Sequence, residues 1–274
     1  MKIPLTIVLA ASLFAGNAHA EMRAERIEYK VGSRTFENVL VYDDAVTVSR
    51  PGLVMVPDWL GINADNIKKA KEIAGSTYVV MLTDMYGKGV RPNGPEEAKA
   101  QIFTLYNDPP EMRRRINASL QLLHSQQRVA FDRTKVAALG YCFGGTTVLE
   151  LARSGASLDA VASFHGGLLT GIPANPGGIK ASVLVLNGAD DVGTKDEVEP
   201  FQEEMRKVGA DWMLVNFAGA EHCFALPHAK RDGCRYHPVA AMRSERIMRE
   251  FFAERFDLKR NDITHQLSGS DNSD

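Results

Sequence analysis

The segment Gly140-Tyr141-Cys142-Phe143-Gly144-Gly145 places a thiol between glycines two residues before it and two after it. A nucleophile carried on a sharp strand-to-helix turn needs this spacing, because only small residues let the strand and helix approach so closely. Such a turn lifts the side chain above the carboxyl ends of the strands, where α/β sheets bind their ligands. It also aims the N–H of Phe143, and the start of the helix, at a developing oxyanion. Serine is the usual occupant of this turn. Here it is cysteine, and no Gly-x-Ser-x-Gly competes with it. The plainer alternative is a structural cysteine in a glycine turn.

A thiol nucleophile requires a base, and the base an orienting acid. Gly188-Ala189-Asp190-Asp191 follows the apolar run 182–187, so a carboxylate stands at the end of another candidate strand. Ala220-Glu221-His222 follows the run 212–217 through a short glycine-containing turn. Nucleophile, acid and histidine thus occur in that chain order, each just beyond a strand. That is the placement expected of an α/β-hydrolase triad.

The elements that would position these residues are legible from residue 51 onward. Apolar runs at 53–56, 78–82, 136–139, 161–164, 182–187 and 212–217 alternate with helical patterns. The helical stretches are 63–75, with Asn63 as cap and Gly75 as stop, then 95–106, 110–127, 145–153, 196–208 and 238–256. Strands apolar on both faces and alternating with helices predict a mostly parallel sheet covered on both sides. Residues 24–48 alternate instead, with a turn near Gly32-Ser33, and predict an antiparallel edge hairpin.

Composition excludes other classes. The chain has 274 residues, 45% apolar and 24% charged, with a formal net charge of −2. It lacks the basic excess that non-specific nucleic-acid binding requires. Residues 1–20 have the layout of a secretory signal peptide. Lys2 begins it, an apolar run from Ile3 to Gly16 follows, and Ala18-His19-Ala20 offers a cleavage site after Ala20. That run is shorter than the ~20 residues of a membrane span. The expected product is periplasmic or secreted, with one domain over 21–258 and a disordered polar tail over 259–274. No cofactor is called for, and the sequence does not set the oligomeric state.

Three cysteines remain in a compartment that permits disulfides. Cys223 and Cys234 lie eleven apart after His222, and their pairing would leave Cys142 as the free thiol. Two free thiols are the alternative. A metal site built from His222, Cys223, His228, Cys234 and His237 matches no established zinc spacing, so no metal is expected.

At these residues the sequence resembles the dienelactone hydrolase family. The carrying segments are PDWLG at 57–61, GYCFGG at 140–145, NGADD at 187–191 and AEHCFA at 220–225, and the resemblance extends over roughly 24–256. It implies Cys142 as nucleophile, His222 as base, and Asp191, the last residue of Gly-x-x-Asp, as orienting acid, with Asp190 as its rival. It further implies the N–H groups of Trp59 and Phe143 as the oxyanion hole.

Three positions depart from the family pattern. Asp58 stands where the family carries a glutamate that modulates the resting thiol. Lys88 stands where it carries one of two arginines that hold a substrate carboxylate, and Leu226 where it carries the other. Tyr86 and Phe224 flank the triad segments and either line a substrate pocket or pack as core. His165, at another strand end, either contacts substrate or makes a structural hydrogen bond. The expected activity is cleavage of a small ester or lactone through a thioester. A catalytically silent small-molecule binding protein of the same fold is the alternative.

Overall fold

A computed structural model describes residues 21–258. The leader expected over 1–20 and the tail expected over 259–274 lie outside the described residues.

The described residues begin with the antiparallel hairpin β1 (Met22–Val31) and β2 (Arg34–Asp43). Its two-residue loop is Gly32-Ser33, where Gly32 takes φ +61° without the penalty a Cβ would bring. There follow β3 (Arg50–Val56), α1 (Ala64–Ala74), β4 (Val79–Leu82), α2 (Pro95–Tyr106) and α3 (Pro109–His124). Next come β5 (Phe131–Tyr141), α4 (Phe143–Arg153), β6 (Ala160–Phe164) and β7 (Ser182–Gly188). The chain then forms α5 (Val198–Val208), β8 (Trp212–Phe217), a small hairpin of β9 (Lys230–Arg231) and β10 (Cys234–Arg235), and α6 (Pro238–Arg255).

The main sheet has eight strands in the order β1-β2-β4-β3-β5-β6-β7-β8. From β4 to β8 all neighbours are parallel, and β2 joins β4 antiparallel. The arrangement is the α/β-hydrolase fold, with the hairpin of the N-terminus at one edge. Strand order reverses at β3, since β4 lies on one side of it and β5 on the other. The crevice beyond the carboxyl ends of strands at such a reversal is where open α/β sheets place their ligands.

Alternation along the strands sends side chains into two separate cores. Val54, Val56, Met81, Ala138 and Val185 pack with residues of α2, α3, α4 and α5 on one face. Leu53, Met55, Leu82, Leu139 and Leu186 pack with α1 and α6 on the other. The buried stripe of α3 carries Met112, Ile116, Leu120 and Leu123, the residues its periodicity singled out. Asn63 accepts the Asn66 N–H at 2.9 Å and caps α1, which Gly75 ends at φ +42°.

Several boundaries differ from the sequence expectation. β5 starts at Phe131 rather than 136, and its early pairing with Arg50 and Pro51 is separated from the rest by a register shift before Gly52. The pattern at 131–135 is mostly polar, so apolar periodicity misses it. α4 starts at Phe143, directly after the cysteine, and is buried along its whole length. The final rung of the β3–β5 ladder pairs Val56 with Gly140.

Candidate active site

Cys142 sits between β5 and α4 with φ +53° and ψ −119°, a backbone region that Cβ-bearing residues rarely adopt. Its N–H donates to the Phe164 carbonyl at 2.9 Å, and its own carbonyl accepts the Thr146 N–H at 3.2 Å. The glycines around it answer to close approach. A Cβ on Gly140 would lie 2.1 Å from the Gly144 carbonyl oxygen, and one on Gly144 would lie 2.2 Å from that of Val56. Strand and helix therefore touch through backbone, and the thiol stands at the crest.

His222 reaches it from the loop after β8. Its Nε2 lies 3.1 Å from the Cys142 Sγ, and its Nδ1 lies 2.7 Å from the Asp191 Oδ2. Asp191 is buried, and its other oxygen accepts the Gly193 N–H at 2.9 Å. Asp190 is exposed, so of the two adjacent carboxylates Asp191 is the one that faces the imidazole. Burial opposes a charge on His222. Hydrogen bonds to Asp191 and Cys142, and their negative charge, outweigh it and push the imidazole up to about 10.

A pKa raised on folding makes the proton part of the fold. The stabilisation is complete below the ordinary histidine value of 6.5 and is lost as pH rises through about 10. Urea midpoints of the wild type are therefore expected to fall more steeply across that window than those of His222→Gln. Equal slopes in the two proteins would contradict the pairing.

Phe143 is the first residue of α4, so its N–H has no carbonyl one turn earlier to receive it. Trp59 follows β3 in the neighbouring crevice wall and is half-buried. Its carbonyl accepts the Tyr86 hydroxyl at 2.8 Å, and the Arg231 guanidinium lies 5.6 Å from its ring centre. Tyr86 stacks on Phe143 at 5.8 Å, and Tyr106 from α2 meets Phe143 edge-on at the same distance. Tyr106 is partly exposed at this rim. Neither Tyr106 nor Arg231 carried a motif that would have marked it.

Several expectations are corrected. Lys88 is not at the site. Its ammonium pairs with Glu28 on β1 at 2.6 Å, both groups being exposed. β1 is four strands from β5, roughly 19 Å across the sheet. Phe224 and Tyr86 are fully buried core residues rather than pocket lining. Phe224 packs on Phe217 and His165.

His165 is also fully buried, at φ +40°, and so has no surface to offer a ligand. Its ring lies edge-on to that of His222 at 5.3 Å, and neither nitrogen has a hydrogen-bond partner among the described residues. Burial, and then the charge of His222, hold its pKa well below the ordinary value, so it stays neutral.

Asp58 occupies a turn. Its Oδ1 accepts the Leu60 N–H at 2.8 Å and its carbonyl accepts that of Gly61. The hydrogen bond of the thiol goes to His222 instead. Burial raises the pKa of Asp58, opposed by the hydrogen bonds from Leu60 and Asn66. Cys223 and Cys234 are joined in a disulfide, with Cα atoms 4.9 Å apart. Those sulfurs are thereby removed from the set considered for a metal.

A thiol on a strand-to-helix turn of a mostly parallel sheet, in line with a histidine and an acid from later strand ends, is the arrangement of an α/β-hydrolase fold. The profile of the dienelactone hydrolase family matches residues 36–256, and the chain belongs to that family. The structure of a dienelactone hydrolase-like promiscuous phosphotriesterase, P91, from metagenomic libraries superposes with a TM-score of 0.80. It is 35% identical, over 86% of this chain and 99% of its own. A probable 2-oxo-3-(5-oxofuran-2-ylidene)propanoate lactonase of Bradyrhizobium sp is 28% identical over 207 residues, 72% of this chain and 80% of its own. An uncharacterized Caenorhabditis elegans protein is 32% identical over 152 residues, 53% of this chain and 95% of its own.

Proposed function

We propose that the protein is a secreted or periplasmic hydrolase of small esters or lactones, working through a Cys142–His222–Asp191 triad and a thioester intermediate. The observation that carries this reading is the hydrogen-bonded line Sγ–Nε2 and Nδ1–Oδ2, at 3.1 and 2.7 Å, ending on a nucleophile turn. The lactonase relative supports the lactone class. The leader pattern with its cleavage site after Ala20 supports export, as does the disulfide, a bond that persists in oxidising compartments.

In the reaction, the proton shared by the Cys142–His222 pair sits on the imidazole, and Asp191 stabilises that imidazolium. The sulfur attacks the carbonyl carbon, and the carbonyl electrons move onto oxygen. The N–H groups of Trp59 and Phe143 hold that oxyanion, each donor typically contributing ~3 kcal/mol. Collapse expels the alcohol oxygen, which takes the proton from His222 and leaves a thioester. His222 then accepts a proton from water as the water attacks. The acid departs, and the proton returns to the Cys142–His222 pair.

The test is an activated aryl-ester assay on the wild type and Cys142→Ala. Turnover by the wild type and its loss in the variant are expected, whereas turnover surviving in Cys142→Ala would overturn the thiol mechanism.

Asp58 enters this reading through its charge. A carboxylate near a thiol disfavours a second negative charge there. Asp58→Asn retains an oxygen for the Leu60 N–H and removes the charge. Iodoacetamide is expected to alkylate Cys142 several-fold faster in this variant at neutral pH. An unchanged rate would leave Asp58 as a turn residue alone.

A further inference from the structure

Cys223 follows His222 directly, and two connections, one covalent and one a backbone bridge, tie this pair of residues to the segment around β10. The Cys223 sulfur is bonded to that of Cys234. His222 and Cys234 form an isolated parallel bridge, and the Arg235 N–H donates to the His222 carbonyl at 2.9 Å. Cys223 itself sits at φ +63°, a left-handed conformation. A Cβ-bearing residue keeps such a conformation when its surroundings over-determine it.

The surroundings here are thin on one side. Residues 227–235 are mostly exposed, and β9 and β10 contain two residues each, so little apolar burial holds that hairpin in place. On the other side His222 is anchored by its ring, through Asp191 and Cys142. The main chain that carries the ring is held by this covalent tie together with the buried Phe224 that follows it, and the disulfide is the only one of these restraints that a change of oxidation state removes.

We infer that the Cys223–Cys234 disulfide is a positioning element for His222, fixing residues 222–223 so that the imidazole spans Asp191 and Cys142. The inference rests on the proposed Cys142–His222 mechanism. It makes hydrolysis depend on the oxidation state of a bond that takes no part in the chemistry. Reduction by a dithiol such as dithiothreitol breaks the S–S bond with two electrons and two protons. It yields two thiols while the reductant closes to its cyclic disulfide.

The experiment compares three forms of the protein: the oxidised wild type, the wild type reduced with dithiothreitol and kept under anaerobic conditions, and a Cys223→Ser/Cys234→Ser variant. For each, kcat and KM are measured on an activated aryl ester. The alkylation rate of Cys142 is followed against pH by peptide mass spectrometry, and the fold is monitored by circular dichroism. The expected result is a fall in kcat of about tenfold or more, from misplacement of the imidazole, with little change in KM and intact dichroism. The alkylation profile should shift toward that of an isolated thiol, and reoxidation of the wild type should restore kcat.

A parental kcat and alkylation profile in both altered forms would overturn the inference. So would loss of kcat only together with the fold, which would assign the bond to stability. If the double variant does not fold, the reduced wild type, held below its melting transition, gives the same reading. Cys142→Ala run in parallel separates the two claims. Turnover surviving there defeats the mechanism, whereas an inert Cys142→Ala beside a fully active reduced enzyme defeats the positioning role alone.

Discussion

Cys142→Ala is expected to lose roughly 10⁴-fold or more in kcat/KM on any ester the wild type cleaves, the scale seen when a triad nucleophile is removed. At 1.36 kcal/mol per decade that is at least about 5.4 kcal/mol of transition-state stabilisation. Removing the sulfur leaves His222 and Asp191 without a group to act on, and the remaining N–H donors polarise a carbonyl that nothing attacks. Stability should move in a different way. The strain lies in the backbone at φ +53°, and alanine carries the same Cβ as cysteine, so melting temperatures should stay close. Cys142→Gly relaxes that strain and is expected to be more stable by about 1 kcal/mol. It should be as inactive as the alanine variant. An active Cys142→Ala protein, or a Cys142→Gly protein less stable than the wild type, would contradict the account of this turn.

Gly144→Ala should destabilise the fold by about 3 kcal/mol or more, toward the upper end for overpacking. The added Cβ would lie 2.2 Å from the Val56 carbonyl oxygen and 2.5 Å from that of Pro57. Both atoms belong to backbone at the end of a fully buried strand, so neither can swing away as a side-chain tip would. Relief requires moving α4 off the sheet, and α4 is buried from end to end. The expected fall in melting temperature is roughly 6–12 °C for a domain of this size. Gly94→Ala is the matched control. It has no atom within 4 Å of its added Cβ and a φ of 179°, which any residue adopts. Its effect should remain within about 0.5 kcal/mol. Comparable losses at the two positions would show that the clash is absorbed elsewhere.

What could be read from residue types alone followed from how tightly each signal was constrained. The turn at Cys142 was legible because close backbone contact tolerates almost no substitute for glycine, and because an apolar run marks the strand before it. β6, β7 and β8 were legible as short apolar runs between helical patterns. The choice between Asp190 and Asp191 was not open to spacing. Both follow the same strand, and the direction each faces depends on the turn that Asp191 closes with Gly193.

Lys88 was misplaced for a related reason. Its position in a motif says nothing about Glu28, a distant residue on β1 that takes up its charge. Aromatic residues near strand ends divide into core and rim only when the helices are in place. Tyr86 and Phe224 are therefore buried, while Tyr106 reaches the rim from α2. β9 and β10 were invisible because strands of two residues have no period to detect.

The last rung of the β3–β5 ladder joins Val56 to Gly140. Trp59 lies three residues beyond the first of these, and Phe143 three beyond the second. The two N–H groups proposed to grip the oxyanion are thus counted off equally from one shared pair of residues. A slip of one residue between these strands would displace one donor along the crevice by ~3.3 Å, about the full length of a hydrogen bond. The precision of the grip is consequently set during folding, when the central strands zip into register. A misregistered molecule would carry every proposed catalytic side chain and still be unable to close both donors on a single oxygen.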